Sequence, residues 1–510
     1  MSAFNSIQHK PPYGMIAILF IGAFISILNE TLLNVALPSI MVEFQINPTA
    51  VQWLSTGYML INGILIPASA FFIQRFTNRS LFLTAMTLFT LGTLLASLSP
   101  TFGVLLTARM IQAAGSAMMM PLLMNIMLTA FPIEKRGTAM GIFGLVMFVA
   151  PAIGPTLSGW LVEHYSWRML FDIVLPFAIF ILVYSIFKLK NITPQRDIKL
   201  DVLSIVLSSL GFGGLLYGFS SAGDKGWEHP LVYGTIIIGI ISVITLIFRQ
   251  LRMDEPMLEF RIFKYPMFAL SSAISIVLST AMFSAMILVP IYIQTIRGFS
   301  PMDAGLLMLP GAVIMGLMSP ITGRLFDKYG ARTLAIIGLT IVVTTTFFFS
   351  QLDMEMSYVS LMVLFTVRSF GMSMVMMPVM TNGLNQLPME ANPHGTAMNN
   401  TLQQVSGAIG AALLVTVMNN RTEAKTTELT DAAMVAMDPN LVQSEQAMAE
   451  MQGQIINEAM LNGINFSFLV STIIGGAALV LAFFIRRVKS DGTIEKRDEK
   501  KKATNSVIAK

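Results

Sequence analysis

Long apolar runs recur along nearly the whole of this 510-residue chain. Each is roughly 18–24 residues long, enough to cross the ~30 Å hydrocarbon core of a membrane as one α-helix. The sequence predicts fourteen spans, near residues 15–37, 51–72, 81–98, 102–124, 138–161, 169–188, 201–220, 232–250, 267–291, 304–324, 333–350, 357–378, 395–418 and 464–486. The expected fold class is therefore an all-α polytopic membrane protein.

The charge content supports the same conclusion. Only 12% of the residues are charged, about half of the ~25% found in typical soluble domains. This composition excludes a soluble enzyme, a disordered chain and a nucleic-acid binder, because their surfaces must meet water. The chain has no cysteine, and its four histidines are far apart, so no metal site is predicted. The chain carries no ATP-binding motif, so an ion gradient is the expected energy source. No cofactor is expected.

Lys and Arg residues predict the orientation of the chain. With the N-terminus inside, most of the 32 basic residues fall in cytoplasmic segments. The exceptions are five external residues and two inside spans, which are Arg168, Lys225, Arg297, Arg421, Lys425, Arg109 and Arg368. This is the positive-inside bias of a membrane protein. An even number of spans then places both termini in the cytoplasm.

The sequence also contains an internal repeat, the feature to seek first in a long chain. Five residue pairs share an offset of 253 residues, namely Pro48 and Pro301, Pro67 and Pro320, Ala70 and Gly323, Gln74 and Asp327, and Arg79 and Arg332. We therefore predict two six-helix bundles, 1–190 and 262–487, separated by two inserted helices in 191–261 and followed by a cytoplasmic tail, 488–510. Two membrane-embedded repeats with a substrate site between them are typical of secondary transporters.

The segment 419–463 is predicted to be a long external loop. It is rich in acidic residues and contains apolar residues at helical spacing. Two interpretations remain open at this stage: a solvated, partly helical loop, or a lid over an external opening.

Three charged residues are predicted to lie well inside spans: Glu30, Arg109 and Arg368. Charges in the bilayer interior are costly and indicate a functional site. A desolvated carboxyl group near a cation can bind and release a proton near neutral pH, so Glu30 and Arg109 are the candidates for proton coupling. The alternatives are a static ion pair or helix–helix hydrogen bond for Glu30, and purely structural bonds to backbone carbonyls for Arg109 and Arg368.

Polar and aromatic residues near these charges are candidate substrate contacts. Asn34 follows Glu30 by four residues, and Gln112 follows Arg109 by three, so each pair shares a helical face. Trp53, Tyr58 and Asn62 are predicted to run along one face of the second span. Clustered methionines, at 118–127 and 372–380, suit a promiscuous apolar pocket but equally suit a lipid-facing surface.

Two further motifs suggest conformational roles. "GRLFDKYGAR" lies in a predicted cytoplasmic turn, and its candidate gating residues are Gly323, Asp327, Lys328, Gly330 and Arg332. An Asp there can meet a helix N-terminus or an Arg and hold an inner gate closed, although a plain basic turn is the simpler interpretation. "APAIGPTLSG" places Pro151, Gly154, Pro155 and Gly159 in one helix, where they serve a moving hinge or close packing.

These motifs resemble those of the major facilitator superfamily over nearly the full length of the chain. More narrowly, they are similar to the fourteen-helix drug:proton antiporter family that includes EmrB, QacA and LmrB. The resemblance rests on "LNETLLNVALP" in the first span, "LLTARMIQAAG" in the fourth, "APAIGPTLSG" in the fifth, "WRMLFDIVLP" in the sixth and the turn "GRLFDKYGAR". It implies the major facilitator fold, with two six-helix bundles and two inserted helices.

The resemblance also implies a function. Members of this family export amphiphilic, often cationic drugs in exchange for protons, which would give Glu30 the proton and an interaction with the cation. The expected partners are small amphiphilic substrates, protons and membrane lipids, with no nucleic acid, and the expected unit is a monomer in a bacterial cytoplasmic membrane. An exporter of a single metabolite, lipid or amino acid is the alternative, and a polytopic membrane enzyme is a more remote one.

Two residues depart from the family pattern. Asn29 occupies the usual position of an Asp, and Glu30 follows directly, which turns the carboxylate by roughly 100° around the helix. In the first-half turn, Gln74 replaces the Asp that the second half retains as Asp327. The first change puts the position of the coupling carboxylate in question, and the second removes a charge from the predicted gate.

Overall fold

The structure is a computed structural model that describes residues 13–46, 48–191, 195–198, 201–436 and 445–488. Almost all of these residues are helical. The first eight α-helices of the described residues are α1 (Tyr13–Phe44), α2 (Pro48–Arg75), α3 (Asn78–Ser97), α4 (Phe102–Ala130), α5 (Arg136–His164), α6 (Met169–Asp172), α7 (Val174–Lys188) and α8 (Val202–Lys225). The remaining helices are α9 (Pro230–Arg252), α10 (Pro266–Ile291), α11 (Pro301–Tyr329), α12 (Ala331–Phe349), α13 (Tyr358–Ser373), α14 (Met376–Asn385), α15 (Asn392–Ala436) and α16 (Glu445–Ala482).

Fourteen helical segments of the described residues are long and apolar enough to cross a membrane. Each coincides with one of the fourteen spans that the sequence predicts, so the prediction of the spans is confirmed. The sixth crossing combines α6 with α7, and the twelfth combines α13 with α14. Helix α9 exposes a row of isoleucines, including Ile237, Ile241 and Ile244, which a bilayer but not water would cover. The protein is a multi-pass membrane protein.

Helix positions follow the repeat seen in the sequence. Helices α2 and α11 begin at Pro48 and Pro301, which are 253 residues apart, and α3 and α12 begin at the same offset. The most extensive contact between the first seven helices and the last seven is that of α5 with α11. Small residues allow this contact, because a Cβ on Gly323 would lie only 2.2 Å from the carbonyl oxygen of Gly137.

The inserted helices α8 and α9 pack on each other, and α8 also contacts α2 and α15. On the α2 side, Gly63 gives room to Leu216, which would lie 2.0 Å from a Cβ at position 63. Just after α8, the indole N–H of Trp227 donates to the hydroxyl of Thr416 in α15 over 2.7 Å. The insert therefore touches both halves of the molecule.

The segment 419–463, predicted as a loop, is largely a continuation of two helices. Helix α15 runs on to Ala436, and α16 begins at Glu445. The two extensions pair along their length, with the Arg421 side chain donating to the Asn462 side chain over 2.9 Å. At 1.5 Å per residue, the 45 residues of α15 span about twice the hydrocarbon thickness. Residues 437–444 lie outside the described residues.

Candidate functional site

Arg109 is the centre of a buried polar cluster in the first half. Its side chain is 1% exposed, and its Nη1 donates to the side-chain oxygens of Asn29, at 2.8 Å, and Gln112, at 2.6 Å. The guanidinium also lies over the ring of Tyr58, 4.3 Å from the ring centroid. A buried cation needs such partners, because an unpaired charge in the bilayer interior is costly.

Gln112 links this cluster to a third helix. While its oxygen accepts from Arg109, its Nε2 donates to the Thr93 hydroxyl of α3 over 2.8 Å. Both polar ends of this fully buried side chain are engaged. In this conformation Gln112 positions Arg109, and its role as a substrate contact stays a prediction.

Glu30 lies beside the cluster but outside its hydrogen bonds. It is close enough to Arg109 to interact electrostatically, yet among the described residues it has no ion pair within 4.0 Å and no hydrogen bond. It is only partly buried. The one-residue shift has a clear consequence here: Asn29 points at Arg109, and the carboxylate of Glu30 is turned away from that contact.

The remaining substrate candidates have different environments. Tyr58 lies under Arg109, and Asn62, one turn further along α2, is 5% exposed with no hydrogen-bond partner for its side-chain oxygen among the described residues. Trp53 stacks on Tyr217 of α8 at 5.8 Å between ring centroids. The prediction of one common face was wrong for Trp53, because five residues turn a helix by about 140° past a full turn. The side chain of Asn34 lies outside the described residues.

Asp327 joins the two halves at the end of the molecule that carries the basic turns. Its carboxylate accepts from the backbone N–H groups of Gly137 and Thr138, each at 2.9 Å, and from the Thr138 hydroxyl at 2.6 Å. These groups form the first turn of α5, where free N–H groups and the helix dipole favour an anion. An Arg487 Nη2 donates to the backbone oxygen of Asp327 over 2.7 Å.

The other residues of the same turn have distinct positions. Gly330 has φ of 78°, which glycine adopts without strain, and it separates α11 from α12. Gly323 packs against Gly137 as described above. Lys328 is exposed and Arg332 is partly buried.

Gln74, the residue that replaces an Asp in the first-half turn, makes a second contact between the halves. Its Nε2 lies 3.0 Å from Nε2 of His394 at the start of α15, and both side chains are buried. A third contact joins Nη1 of Arg136 to the side-chain oxygen of Asn385 over 3.2 Å. All three contacts lie at the end with the basic turns. No motif or spacing in the sequence singles out His394.

Helix α5 packs closely against α1 at Gly154. A Cβ on Gly154 would lie 2.1 Å from the Thr31 hydroxyl, and Ser158 donates to the Leu32 backbone oxygen over 2.5 Å. Gly159 has more room, with its nearest neighbour at 3.6 Å. Helix α5 continues through Pro151 and Pro155 without a break, although the side chain of Pro155 lies outside the described residues.

Arg368 occupies the corresponding place in the second half. It donates to the backbone oxygen of Ala281 over 2.7 Å and to the Thr346 hydroxyl over 3.3 Å. Thr346 and Thr93, which completes the Arg109 cluster, are 253 residues apart. Arg109 and Arg368 are thus buried between equivalent helices, but within the described ranges only Arg109 of these two interacts electrostatically with a carboxyl group, that of Glu30.

A third cluster anchors the end of the first half opposite the basic turns. Glu43 accepts from the Trp167 indole and from Arg168, each over 2.6 Å. Partial burial by itself raises the pKa of Glu43, but the hydrogen bonds from Arg168 and Trp167 outweigh it and hold that pKa below its usual value. Among the described residues, no cluster of three His, Asp or Glu side chains could hold a metal ion.

Comparison with known proteins supports the resemblance. The family model of the Major Facilitator Superfamily matches residues 19–411 of this chain. The uncharacterized MFS-type transporter YhcA of Bacillus subtilis is 47% identical over 510 residues, covering 96% of each chain. The lincomycin resistance protein LmrB of the same organism is 42% identical over 486 residues, covering 95% of this chain and 98% of that one.

A solved structure shows the same fold. The human organic anion transporter MFSD10 (TETRAN) superimposes with a TM-score of 0.60 at 13% identity, covering 92% of this chain and 100% of that one. At this identity the likeness concerns the fold alone. Together with the transporter relatives, it places the chain among transporters and not among membrane enzymes.

Proposed function

Because the chain belongs to the Major Facilitator Superfamily, we propose that it exports hydrophobic and amphiphilic compounds across a bacterial cytoplasmic membrane in exchange for protons. The substrates include cationic drugs, dyes and biocides. The proton gradient supplies the energy, no cofactor takes part, and a monomer with both termini in the cytoplasm is the functional unit. The name of the relative LmrB makes lincomycin a first compound to test.

The observation that carries the proposal is the isolated carboxyl group of Glu30. It is partly buried inside a span, lies near Arg109 and has no hydrogen bond or ion pair among the described residues. A static structural carboxylate in the bilayer would be paired. An unpaired one beside a buried cation is suited to bind and release a proton, and to attract a cationic substrate when it is ionised.

Alternating access supplies the mechanism. The bundles 1–190 and 262–487 rock about the site between them, and the contacts of Asp327, Gln74 and Arg136 hold the basic-turn end closed in this conformation. We propose that this end faces the cytoplasm, so that this conformation is closed toward the inside. Proton binding to Glu30 from outside removes its attraction for the substrate. Release of the substrate then precedes opening of the inner end.

Transport by reconstituted protein tests this proposal. Proteoliposomes with an imposed pH gradient are offered tetraphenylphosphonium, lincomycin and a panel of dyes. We expect the wild type to move several of them with the gradient, whereas Glu30→Gln inserts normally and loses gradient-driven transport. The control is Glu163→Gln, because Glu163 is an exposed acidic residue at the C-terminal end of α5. Gradient-driven transport by Glu30→Gln at the wild-type rate would refute the coupling role, and movement of a single compound would indicate a dedicated exporter.

A further inference from the structure

Several amide side chains lie within the thirteenth crossing, and three of them contact methionine sulfur atoms. Asn399, Asn400 and Gln403 are 7 to 11 residues from Asn392, the first residue of α15, and so about 10–16 Å from that end of the helix. Asn399 is 3% exposed, but Asn400 and Gln403 are only partly buried. Polar side chains at this depth need a structural or functional reason.

The amide N–H groups of these residues contact sulfur atoms. Asn399 directs its Nδ2 at Sδ of Met380, and Nε2 of Gln403 lies 3.9 Å from the same sulfur. Nδ2 of Asn400 lies 4.0 Å from Sδ of Met124. A thioether is a weak hydrogen-bond acceptor. An oxygen atom of a bound ligand would therefore be a better hydrogen-bond acceptor for each amide N–H than the methionine sulfur.

One of these amides, Asn400, reaches across to the first half. Met124 belongs to α4 of the first half, so the contact of Asn400 crosses the interface. Gln403 borders a cavity of about 10 Å³ that it shares with Ser275, Ser279, Met282 and Met376, about the size of one water molecule. Secondary transporters bind substrate in this region, near the bilayer midplane between the repeats.

The chemistry of this region complements that of the first half. Helices α10 and α14 contain no acidic residue, and neither does α15 before Glu423. The region offers neutral N–H and O–H donors together with flexible thioethers, and Glu30 supplies the carboxylate from the other half. Such a surface favours acceptor oxygens over cationic groups.

We propose that Asn399, Asn400 and Gln403 form a substrate-binding surface that selects amphiphiles carrying neutral acceptor oxygens, such as hydroxyl, ether or amide carbonyl groups. This inference rests on the proposed export function and names the part of the substrate that the second half recognises. On binding, a substrate oxygen replaces the sulfur of Met380 or Met124 as the acceptor of the amide N–H groups.

Binding of two probes to the protein in lipid nanodiscs tests the inference. Lincomycin carries hydroxyl and amide oxygens, whereas tetraphenylphosphonium is a lipophilic cation without acceptors. In Gln403→Leu and in Asn400→Leu we expect the Kd of lincomycin to rise about five- to tenfold, the equivalent of one lost hydrogen bond. The Kd of tetraphenylphosphonium should change less than twofold. Asn420→Leu, at an exposed position further along α15, is the control and should leave both values unchanged.

A second variant separates recognition from folding. Met380→Leu keeps the apolar volume but removes the sulfur, so the inference predicts that lincomycin binds at least as tightly as to wild type. Weaker lincomycin binding in Met380→Leu, equal weakening of both probes in the amide variants, or no lincomycin binding by wild type would overturn the inference. Failure of the coupling proposal is distinguishable, because it would appear as gradient-driven transport by Glu30→Gln with these Kd values unaffected.

Discussion

Arg109 donates a 2.8 Å hydrogen bond to the side-chain oxygen of Asn29 and leaves the adjacent carboxylate of Glu30 outside the contact. The partner of Arg109 is thus a neutral amide, and the charge of Asn29 does not change when a proton binds or leaves the site. The charge of Glu30, one residue later, can change in this way. Under the proposed function, the structural and the titrating roles in the first span would therefore fall to two consecutive residues.

Replacement of Asn29 by Leu should destabilise the protein. The change removes a hydrogen bond to a buried cation, which is worth about 1.5–3 kcal/mol, and keeps the branching and the number of side-chain heavy atoms. We expect a lower unfolding temperature in detergent and reduced transport. Asn62→Leu is the matched control for the unfolding temperature, because the Asn62 side-chain oxygen has no hydrogen-bond partner among the described residues. An equal drop in unfolding temperature in the two variants would contradict the assigned role of Asn29.

Replacement of Asp327 by Asn should favour opening at the basic-turn end. The variant weakens charge-assisted hydrogen bonds to the first turn of α5, worth about 1.5–3 kcal/mol in total, so the open population should rise more than tenfold. Because the chain has no cysteine, spin labels at Phe76→Cys and Met389→Cys, both exposed, report the distance between the halves. If the doubly labelled protein has the same distance distribution with and without Asp327→Asn, Asp327 does not hold this end closed.

Replacement of Gly323 by Ala should impair packing of α11 on α5. The new methyl group would lie 2.2 Å from the Gly137 backbone oxygen, and overpacking of this kind costs about 1–3 kcal/mol. Gly159→Ala, whose methyl group would have its nearest neighbour at 3.6 Å, should be neutral or slightly stabilising, as Gly to Ala usually is in a helix. Unfolding temperatures and transport rates of the two variants provide the comparison.

Acid should remove the stabilising effect of Asp201. This residue precedes α8 and accepts hydrogen bonds at 2.9 and 3.0 Å from Arg249 of α9, which hold the pKa of Asp201 below its usual value. A lowered pKa in the folded state stabilises the protein above the unfolded value, near 3.8, and the effect disappears as pH falls through the folded value. Asp201→Asn should therefore unfold at a lower temperature than wild type at pH 7.

The same comparison at acidic pH completes this test. Below about pH 4 the difference between Asp201→Asn and wild type should shrink toward zero. Asp197→Asn, at a side chain 92% exposed, should show little difference at either pH. A difference for Asp201→Asn that persists undiminished in acid would contradict the ionic origin of the effect.

The spans could be predicted from sequence because each is a long apolar run, and that signal is local. The contact of Asn29 with Arg109 could not, because it depends on the rotation of α1 against α4, which hydropathy does not specify. Counting around the helix would have separated Trp53 from Tyr58. His394 and the amides of α15 carry little signal in a single sequence, since only the packing of the halves shows that they face a partner. The 253-residue offset did relate Gln74 to Asp327, two positions that each join the halves.

Contact of α8 with both α2 and α15 has a mechanical consequence. If the halves rotate against each other as rigid bodies, a segment that contacts both halves cannot keep both contacts unchanged. Either the Leu216 side chain must slide over Gly63, or Trp227 must release Thr416, in every transport cycle. The breaking of one of these contacts would then limit part of the turnover rate. A cross-link from α8 to either α2 or α15 alone should slow the transport cycle less than cross-links to both helices.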